Sequence, residues 1–227
     1  MKRLHALVAT ALLAAAPLAS ANLLTNGSFE SGATEPPAVG QSFGQTIPSG
    51  VALPGWTILY NSVDRVADTY WQASHGDYSL DLNGTGTVGS ALCLTGCWSA
   101  ISQTFATVTG ASYLLSFDLS GNPDGPPTTK SLFVNVVSGA GGGGSWFDVF
   151  DTTGISKAAM GWTTINHAFT AMADLTTLQF FSLTDSSSQF GPVIDNVAVV
   201  PEPGTYAMLL AGLGLLGFMA RRRMSSR

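Results

Sequence analysis

Five tryptophans are the side chains best suited to bind a neutral ligand, because an indole offers a flat apolar face beside a polar edge. They are Trp56, Trp71, Trp98, Trp146 and Trp162. Pyranose rings stack on such faces, while carboxylate and amide side chains hold the hydroxyl groups. The candidates for this platform lie near predicted loops: Trp71 with Gln72, Trp98 and Trp146. The other two fall in predicted strands, and core packing is the alternative for each of the five.

Residues that could support hydrolysis occur in a context that does not favour it. The segment 40–44, GQSFG, matches the G-x-S-x-G pattern of serine hydrolases around Ser42, but no strong strand precedes it and no helix follows. Two carboxylate pairs are close in sequence, as glycoside hydrolysis would need: Asp64 with Asp68, and Asp148 with Asp151. A solvated loop explains these pairs better, so we predict no catalytic residues and no enzymatic activity.

The C-terminal segment has three parts in a fixed order. Pro201-Glu202-Pro203 comes first, an uncharged apolar run over 205–220 follows, and Arg221, Arg222 and Arg223 close it. The run is shorter than the roughly 20 residues that comfortably span a bilayer, yet the arginines are what the positive-inside rule expects at the cytoplasmic end of a membrane segment. We predict a transmembrane helix over 205–220, with a buried core helix as the alternative.

This tail resembles the PEP-CTERM sorting signal of Gram-negative bacteria. The resemblance implies recognition by an exosortase, a membrane transpeptidase that cuts near the Pro-Glu-Pro motif and releases or re-anchors the exported protein. Residues 201–227 are therefore predicted to be an address and a transient inner-membrane anchor, outside the folded domain.

The N-terminus has the organisation of a secretory signal peptide. Lys2 and Arg3 form a positive n-region, 4–18 is an apolar h-region, and Ala19-Ser20-Ala21 is a small-residue cleavage site. We predict a signal peptide over 1–21 and a mature chain that begins at Asn22. The alternative, an N-terminal anchor helix, needs a longer apolar run.

Charge is distributed very unevenly along the chain. Between residues 22 and 200 only Arg65, Lys130 and Lys157 are basic, against thirteen acidic residues, which gives this segment a formal charge of −10. So acidic a surface repels phosphate backbones, and nucleic-acid binding is excluded. About 180 residues with few ions and much Gly, Ser and Thr suit one extracellular β-rich domain.

The two cysteines, Cys93 and Cys97, are separated by Leu-Thr-Gly. In the oxidising compartment that a signal peptide implies, we predict a local disulfide that shapes the loop leading to Trp98. A zinc site is the alternative, but no histidine or further cysteine stands nearby.

Short segments with alternating apolar residues fill the region between the two signals, and almost none has a helical period. Strands are predicted at 56–60, 65–70, 78–82, 100–105, 113–119, 132–137, 162–169, 178–183 and 193–200. Turn clusters separate them, and the glycine run 141–144 is interpreted as a mobile loop. This pattern predicts an all-β, antiparallel jelly-roll β-sandwich over 22–200.

Seven short motifs follow one another along the chain: 22–30 (NLLTNGSFE), 53–56 (LPGW), 63–64 (VD), 76–84 (GDYSLDLNG), 101–105 (ISQTF), 113–122 and 194–197 (IDNV). The first resembles the opening strand of galactose-binding-like β-sandwich domains. The ordered set resembles the bacterial choice-of-anchor C family and the plant cell-wall family called domain of unknown function 642. The resemblance implies a sandwich of carbohydrate-binding-module type, associated in the plant members with cell-wall polysaccharide. This chain has only the local cysteine pair, and not the wider cysteine framework of the plant relatives.

Related sandwiches hold one structural ion between the opening and closing strands, and Glu30 and Asp195 are the matching carboxylates here. Calcium takes six to eight oxygen ligands, and an unpaired carboxylate beside apolar residues would be costly. We therefore expect a structural calcium ion at Glu30 and Asp195, with solvated or capping roles as the alternative.

Together these observations predict an exported, non-catalytic protein that binds cell-surface or matrix polysaccharide, such as the exopolysaccharide of a biofilm. One alternative is a structural matrix protein without a saccharide site. Another is a secreted hydrolase.

Overall fold

The computed structural model describes residues 21–32, 40–41, 43–85, 98–185 and 187–202, together with Gly212, Gly214 and Gly217. Predictions that lie outside these residues concern the signal peptide up to Ser20, Ser42, the pair Cys93 and Cys97, and the tail with Pro203 and Arg221, Arg222 and Arg223. Among the described residues, no helix is long and apolar enough to cross a membrane.

Residues 21–202 form one compact unit, whose described part contains twelve strands and no helix. The strands are β1 Gly40–Gln41, β2 Gly44–Pro48, β3 Thr57–Ile58, β4 Ser62–Ala67, β5 Tyr78–Asp81, β6 Ala100–Ala106, β7 Ser112–Gly121, β8 Thr129–Val137, β9 Gly143–Asp151, β10 Thr163–Thr170, β11 Leu175–Ser182 and β12 Pro192–Pro201. Every pairing between them is antiparallel.

The pairings join all twelve strands in one continuous order, which we divide into two packed sheets, sheet I and sheet II. Sheet I has the order β1-β2-β4-β5-β12-β7-β10, and sheet II has the order β9-β8-β11-β6-β3. A single register pair between β10 and β9, Thr170 with Gly143, connects them. Phe117 of sheet I meets Phe180 of sheet II edge to face at 5.1 Å, so the sheets pack face to face with the main core between them.

The outer face of sheet I is also partly covered, by the loops 68–77 and 157–162. Val66 and Val193 point outward from this sheet and pack under Trp71 and Met160 as a second, smaller core. Side chains alternate along a strand, so the polar residues that share this outer face are removed from solvent as well. This second layer explains why sheet I carries buried carboxylates.

Several predicted segments differ in the structure. The strand predicted at 65–70 is β4, Ser62–Ala67, and the one predicted at 56–60 is β3, Thr57–Ile58. The opening segment 22–30 is not a strand, because Asn26 and Phe29 have positive φ angles of 54° and 57°. Two backbone hydrogen bonds still join it to β12, from Leu23 N to Val199 O and from Val197 N to Gly27 O. The predicted glycine loop 141–144 is shorter than expected, because its last two residues already belong to β9.

Truncation of the core residue Phe117 tests the packing of the two sheets. Phe117 is fully buried, so we expect Phe117→Ala to lower the free energy of unfolding by about 3–5 kcal/mol. Phe147, which is 73 % exposed, is the matched control, and Phe147→Ala should change it by less than about 0.5 kcal/mol. Urea unfolding of residues 21–202 measures both, and equal losses would contradict this assignment of the core.

Candidate functional site

The outer face of sheet I contains a cavity of about 140 Å³. Its described lining combines four aromatic side chains with oxygen-bearing ones: Phe43, Tyr70, Trp71 and Phe190, with Asp64, Thr85, Asn122, Asp124 and Gln189. Apolar walls with a few converging polar groups are typical of sites that bind small ligands. This cavity is therefore the candidate functional site.

Half-buried rings form the aromatic wall of the cavity. Phe43 and Tyr70 lie 5.7 Å apart between ring centroids at a tilt of 58°. Trp71 was predicted to belong to a sugar platform, and this role stays a prediction. The loop folds back over sheet I, which leaves Trp71 only 2 % exposed, and its indole N–H donates to Ser79 Oγ at 2.8 Å.

Tyr70 is fixed at the rim by an acidic and a basic side chain. Its hydroxyl donates to Asp124 Oδ2 at 2.6 Å, and Lys157 Nζ lies 2.8 Å from Asp124 Oδ1. Lys157 Nζ also lies 3.7 Å from the centroid of the Tyr70 ring, in cation–π geometry. The rim is thus a pre-formed set of one ring, one carboxylate and one ammonium group.

Two carboxylates lie beneath the rim, directly opposite each other on β4 and β5. Asp64 is the register partner of Asp81. Asp64 Oδ2 accepts the backbone N–H and the hydroxyl of Thr85 at 2.9 and 2.6 Å. Asp81 Oδ2 accepts Asn122 Nδ2 at 2.7 Å. Sequence reasoning paired Asp64 with Asp68 instead, because cross-strand register is not visible in local spacing.

Burial controls the ionisation of this carboxylate pair. Desolvation raises the pKa of Asp64 to about 6. Desolvation, followed by the nearby charge of Asp64, raises the pKa of Asp81 well above its usual range. Lys130 is buried nearby, where desolvation lowers its pKa to about 8, and its Nζ donates to the carbonyls of Gly125 and Phe190 at 2.9 and 2.8 Å.

Glu30 and Asp195, the predicted calcium ligands, both hold the loop that carries Trp71. Asp195 Oδ2 accepts the backbone N–H groups of 74 and 75 at 2.9 and 2.8 Å, and Glu30 Oε1 accepts those of 77 and 78 at 3.0 and 3.1 Å. Burial raises the pKa of Asp195 to about 7. The described residues contain no group of three or more His, Cys, Asp and Glu that could hold a metal ion. Calcium at this pair stays a prediction.

The remaining predicted sugar-binding residues lie in separate surroundings. Gln72 is exposed, and its Oε1 accepts Met160 N at 3.3 Å. Trp98 packs against Tyr60 with 5.3 Å between ring centroids. Trp146, on β9, stacks on His167 at 4.4 Å and 9°. No described contact joins these tryptophans to one another or to the cavity, so the structure does not assemble them into one platform.

The described strands define an all-β antiparallel sandwich, as the sequence predicted. Residues 22–200 match the family described as "Protein of unknown function (DUF642)", so the chain belongs to this family. Residues 199–223 match the PEP-CTERM protein-sorting motif, which confirms the predicted sorting signal.

Curated relatives are longer proteins. Halomucin of Haloquadratum walsbyi is 27 % identical over 179 residues, which cover 79 % of this chain and 2 % of halomucin. Protein TEEBE of Arabidopsis thaliana is 28 % identical over 192 residues, which cover 78 % of this chain and 45 % of that protein. The chain therefore spans less than half the length of these relatives.

Among solved structures, TmCBM61 in complex with β-1,4-galactotriose matches with a TM-score of 0.51 and 15 % identity. The match covers 81 % of this chain and all of that one. At this identity the likeness concerns the fold, and it confirms the predicted antiparallel jelly-roll sandwich.

The buried carboxylates predict an unusual dependence of stability on pH. Below pH 6 to 7 the native state keeps protons on Asp64 and Asp195 that the unfolded chain, with carboxyl pKa values near 4, has already released. Stability should therefore be greatest near pH 4 and fall as the pH rises through 6 to 7. The charge of Asp64 also raises the pKa of Asp81, and the charge of Lys130 lowers it.

Urea unfolding with chelator present, from pH 4 to 7.5, measures this fall. In Asp64→Asn the loss of unfolding free energy between pH 4 and 7.5 should be smaller than in the wild type by at most about 3 kcal/mol, since each pKa unit corresponds to about 1.4 kcal/mol. Asp151→Asn is the control, because Asp151 is exposed and hydrogen bonds from Thr153 lower its pKa, so this change should not reduce the fall. A stability that rises over this range would show that these carboxylates are ionised without penalty.

Proposed function

We propose that this protein is exported, is processed by an exosortase, and binds a polysaccharide of the cell surface or extracellular matrix, including biofilm exopolysaccharide. The PEP-CTERM motif over 199–223 supports export and a transient inner-membrane anchor. The cavity on sheet I carries the binding part of the proposal, because it combines aromatic faces with carboxylate and amide groups.

The sugar would contact the rim of this cavity. Phe43, Tyr70 and Phe190 are half-buried, so each has exposed surface on which a pyranose can pack. Asp124 and Asn122 offer hydrogen bonds to hydroxyl groups. A cavity of about 140 Å³ is smaller than the roughly 300–1,000 Å³ of drug-sized sites, and this favours one terminal or branching sugar unit over a length of chain.

Two further observations support a neutral glycan as the ligand. The strongly acidic charge between residues 22 and 200 disfavours phosphorylated or sulfated polymers. A sandwich of the same fold, TmCBM61, holds β-1,4-galactotriose, so this architecture is compatible with neutral galactans.

The proposed role is non-catalytic because the predicted carboxylate pairs have structural partners. Asp64 is 4 % exposed and binds Thr85. Asp68 accepts Ala73 N at 3.0 Å, and Asp148 lies 2.9 Å from His167 Nε2. Carboxylates held in this way are poorly placed to protonate a glycosidic oxygen or activate water.

A structural matrix role without a saccharide site is the second candidate, favoured by an exposed aromatic row on sheet II. Phe133 lies 4.7 Å from Phe147 and 5.8 Å from Phe181 between ring centroids, and Val149 beside them is 66 % exposed. Exposed apolar side chains that adjoin one another are typical of protein contacts.

Binding to neutral glycans separates these candidates. Isothermal titration of residues 21–202 with β-1,4-galactotriose and with the polysaccharide of the producing organism should detect binding. Tyr70→Ala should weaken it about tenfold, which is about 1.4 kcal/mol, because ring and hydroxyl are both lost. Phe147→Ala should leave it unchanged. No binding, or a loss confined to Phe147→Ala, would reject the cavity, and released reducing ends would reveal a hydrolase.

Processing can be checked by intact mass spectrometry of the protein from its producing cells. The mature chain should begin at Asn22 and end near the Pro201-Glu202-Pro203 motif, with the arginine cluster removed. Deletion of the producer's exosortase gene should leave the C-terminal tail attached. An uncut chain with both termini present in wild-type cells would contradict export and processing.

A further inference from the structure

The last strand of the domain continues into the sorting motif. β12 ends at Pro201, the first residue of the Pro-Glu-Pro sequence, and Pro201 is the register partner of Tyr113 on β7. Glu202 N donates to Ser112 O at 3.0 Å, which extends the pairing by one more residue. Two of the three motif residues are therefore held against β7, an interior strand of sheet I.

The opening segment holds β12 from its other edge. Asn22 Oδ1 accepts Val199 N at 3.0 Å, and Asn22 Nδ2 donates to Val197 O at 3.0 Å. Leu23 N donates to Val199 O at 2.9 Å. The side-chain amide of Asn22, the predicted first residue of the mature chain, thus pairs with β12 as a strand backbone would.

Burial secures this end of β12 up to Val199 and decreases towards Glu202. Val197 and Val199 are at most 1 % exposed, Val200 and Pro201 are half-buried, and Glu202 is exposed. Glu202 also lines a cavity of about 370 Å³ that opens to solvent. Its carboxylate is therefore accessible to an enzyme, although its backbone N–H is bound to β7.

Backbone that is hydrogen-bonded and buried resists cleavage until it opens locally. An enzyme that cut before Glu202 would first have to separate the end of β12 from Tyr113 and Ser112. It would also have to act beside Val199, which the opening segment holds on the other edge. A cut after Glu202 requires no strand to leave the sheet.

We infer that the fold sets the cleavage point: the exosortase breaks a peptide bond C-terminal to Glu202, and Pro201 and Glu202 stay in sheet I of the mature protein. This inference rests on the proposed processing by an exosortase. In that step the carbonyl carbon of the broken bond passes to water, which leaves a carboxylate, or to an amine acceptor, which forms a new amide. The tail departs with a free amino group.

This cleavage point also determines which end of the domain an attachment would use. The ligand cavity lies beside Phe190, just before β12 begins, whereas the motif lies where β12 ends. A strand of ten residues spans about 30 Å. A domain re-anchored through its new C-terminus would therefore present the cavity about 30 Å along β12 from the attached end.

Two measurements on the producing cells test the cleavage point. Intact mass spectrometry of the mature protein should give a C-terminal residue at Glu202 or later. A variant with a Gly-Ser spacer of about six residues inserted after Val200 frees the motif from the sheet. Because no strand has to open in the wild type, pulse-chase labelling should show the spacer variant processed at the wild-type rate within about twofold.

A mature C-terminus at Pro201 or earlier would overturn the inference. So would a spacer variant that is processed about tenfold faster than the wild type, because β12 would then have to open for cleavage. A cut that requires the exosortase gene but falls before Glu202 would reject this inference alone and leave the proposed processing intact. A tail that stays attached in wild-type cells would reject both.

Protection from proteinase K tests the pairing without the exosortase. In full-length protein isolated from cells that lack the exosortase gene, cleavage after Val199 or Val200 should be about tenfold faster in Asn22→Ala than in the wild type, because two hydrogen bonds to β12 are lost. Asn166→Ala is the matched control, since Asn166 is exposed on β10, and it should leave the rate unchanged. A wild-type rate as high as that of Asn22→Ala would show that the end of β12 is not held, and it would overturn the inference.

Discussion

The arrangement of the site depends on how two carboxylates, Asp195 of β12 and Glu30 of the opening segment, bind the backbone of the loop 68–77 and of the first residue of β5. This loop has no regular structure, so its N–H groups need acceptors from elsewhere once it is packed against the sheet. Asp195 and Glu30 accept four of them in two consecutive pairs. Held in this way, the loop buries Trp71 on Val66 and Val193 and places Tyr70 at the rim of the cavity. The loop, the second core and the candidate site are therefore one cooperative unit.

Arg65 fastens the opening segment to the same region. Its Nε donates to Phe29 O and its Nη2 to Glu30 O, both at 2.6 Å, while the guanidinium lies 3.2 Å from the centroid of the Tyr78 ring. It thereby fixes the backbone from which the Glu30 carboxylate reaches the loop. Asp195 and this guanidinium are buried, and each needs several hydrogen bonds to be tolerated there. Asp64 and Asp81 are buried as well, and neither makes a salt bridge in the described part of the chain.

Local sequence pattern predicted most of the strands, and where it failed, the deciding contacts are not local. In β7, Tyr113, Leu115, Phe117 and Leu119 alternate with polar residues, and all four are buried as predicted. No strand was predicted at β9. Its outward-facing side chains include the apolar Phe147 and Val149, so the alternation that marks a half-buried strand is absent. The burial of Trp71 could not be predicted because the loop folds back onto residues far away in sequence. The pairing of Asp64 with Asp81 likewise depends on strand register.

The two outer faces of the sandwich satisfy their polar groups differently, and this difference favours sheet I as the site of specific recognition. On sheet II, Ser145 Oγ donates to Asn135 Oδ1 at 2.8 Å, and Asn135 Nδ2 donates to Gln179 Oε1 at 2.9 Å. These side chains use much of their hydrogen-bonding capacity on one another, and beside them is an aromatic row without charge. Specificity for a hydroxylated ligand requires polar groups that only the ligand can satisfy. On sheet I the polar side chains of Asp64, Asn122 and Asp124 line a cavity with aromatic walls, where a hydroxylated ligand can reach them.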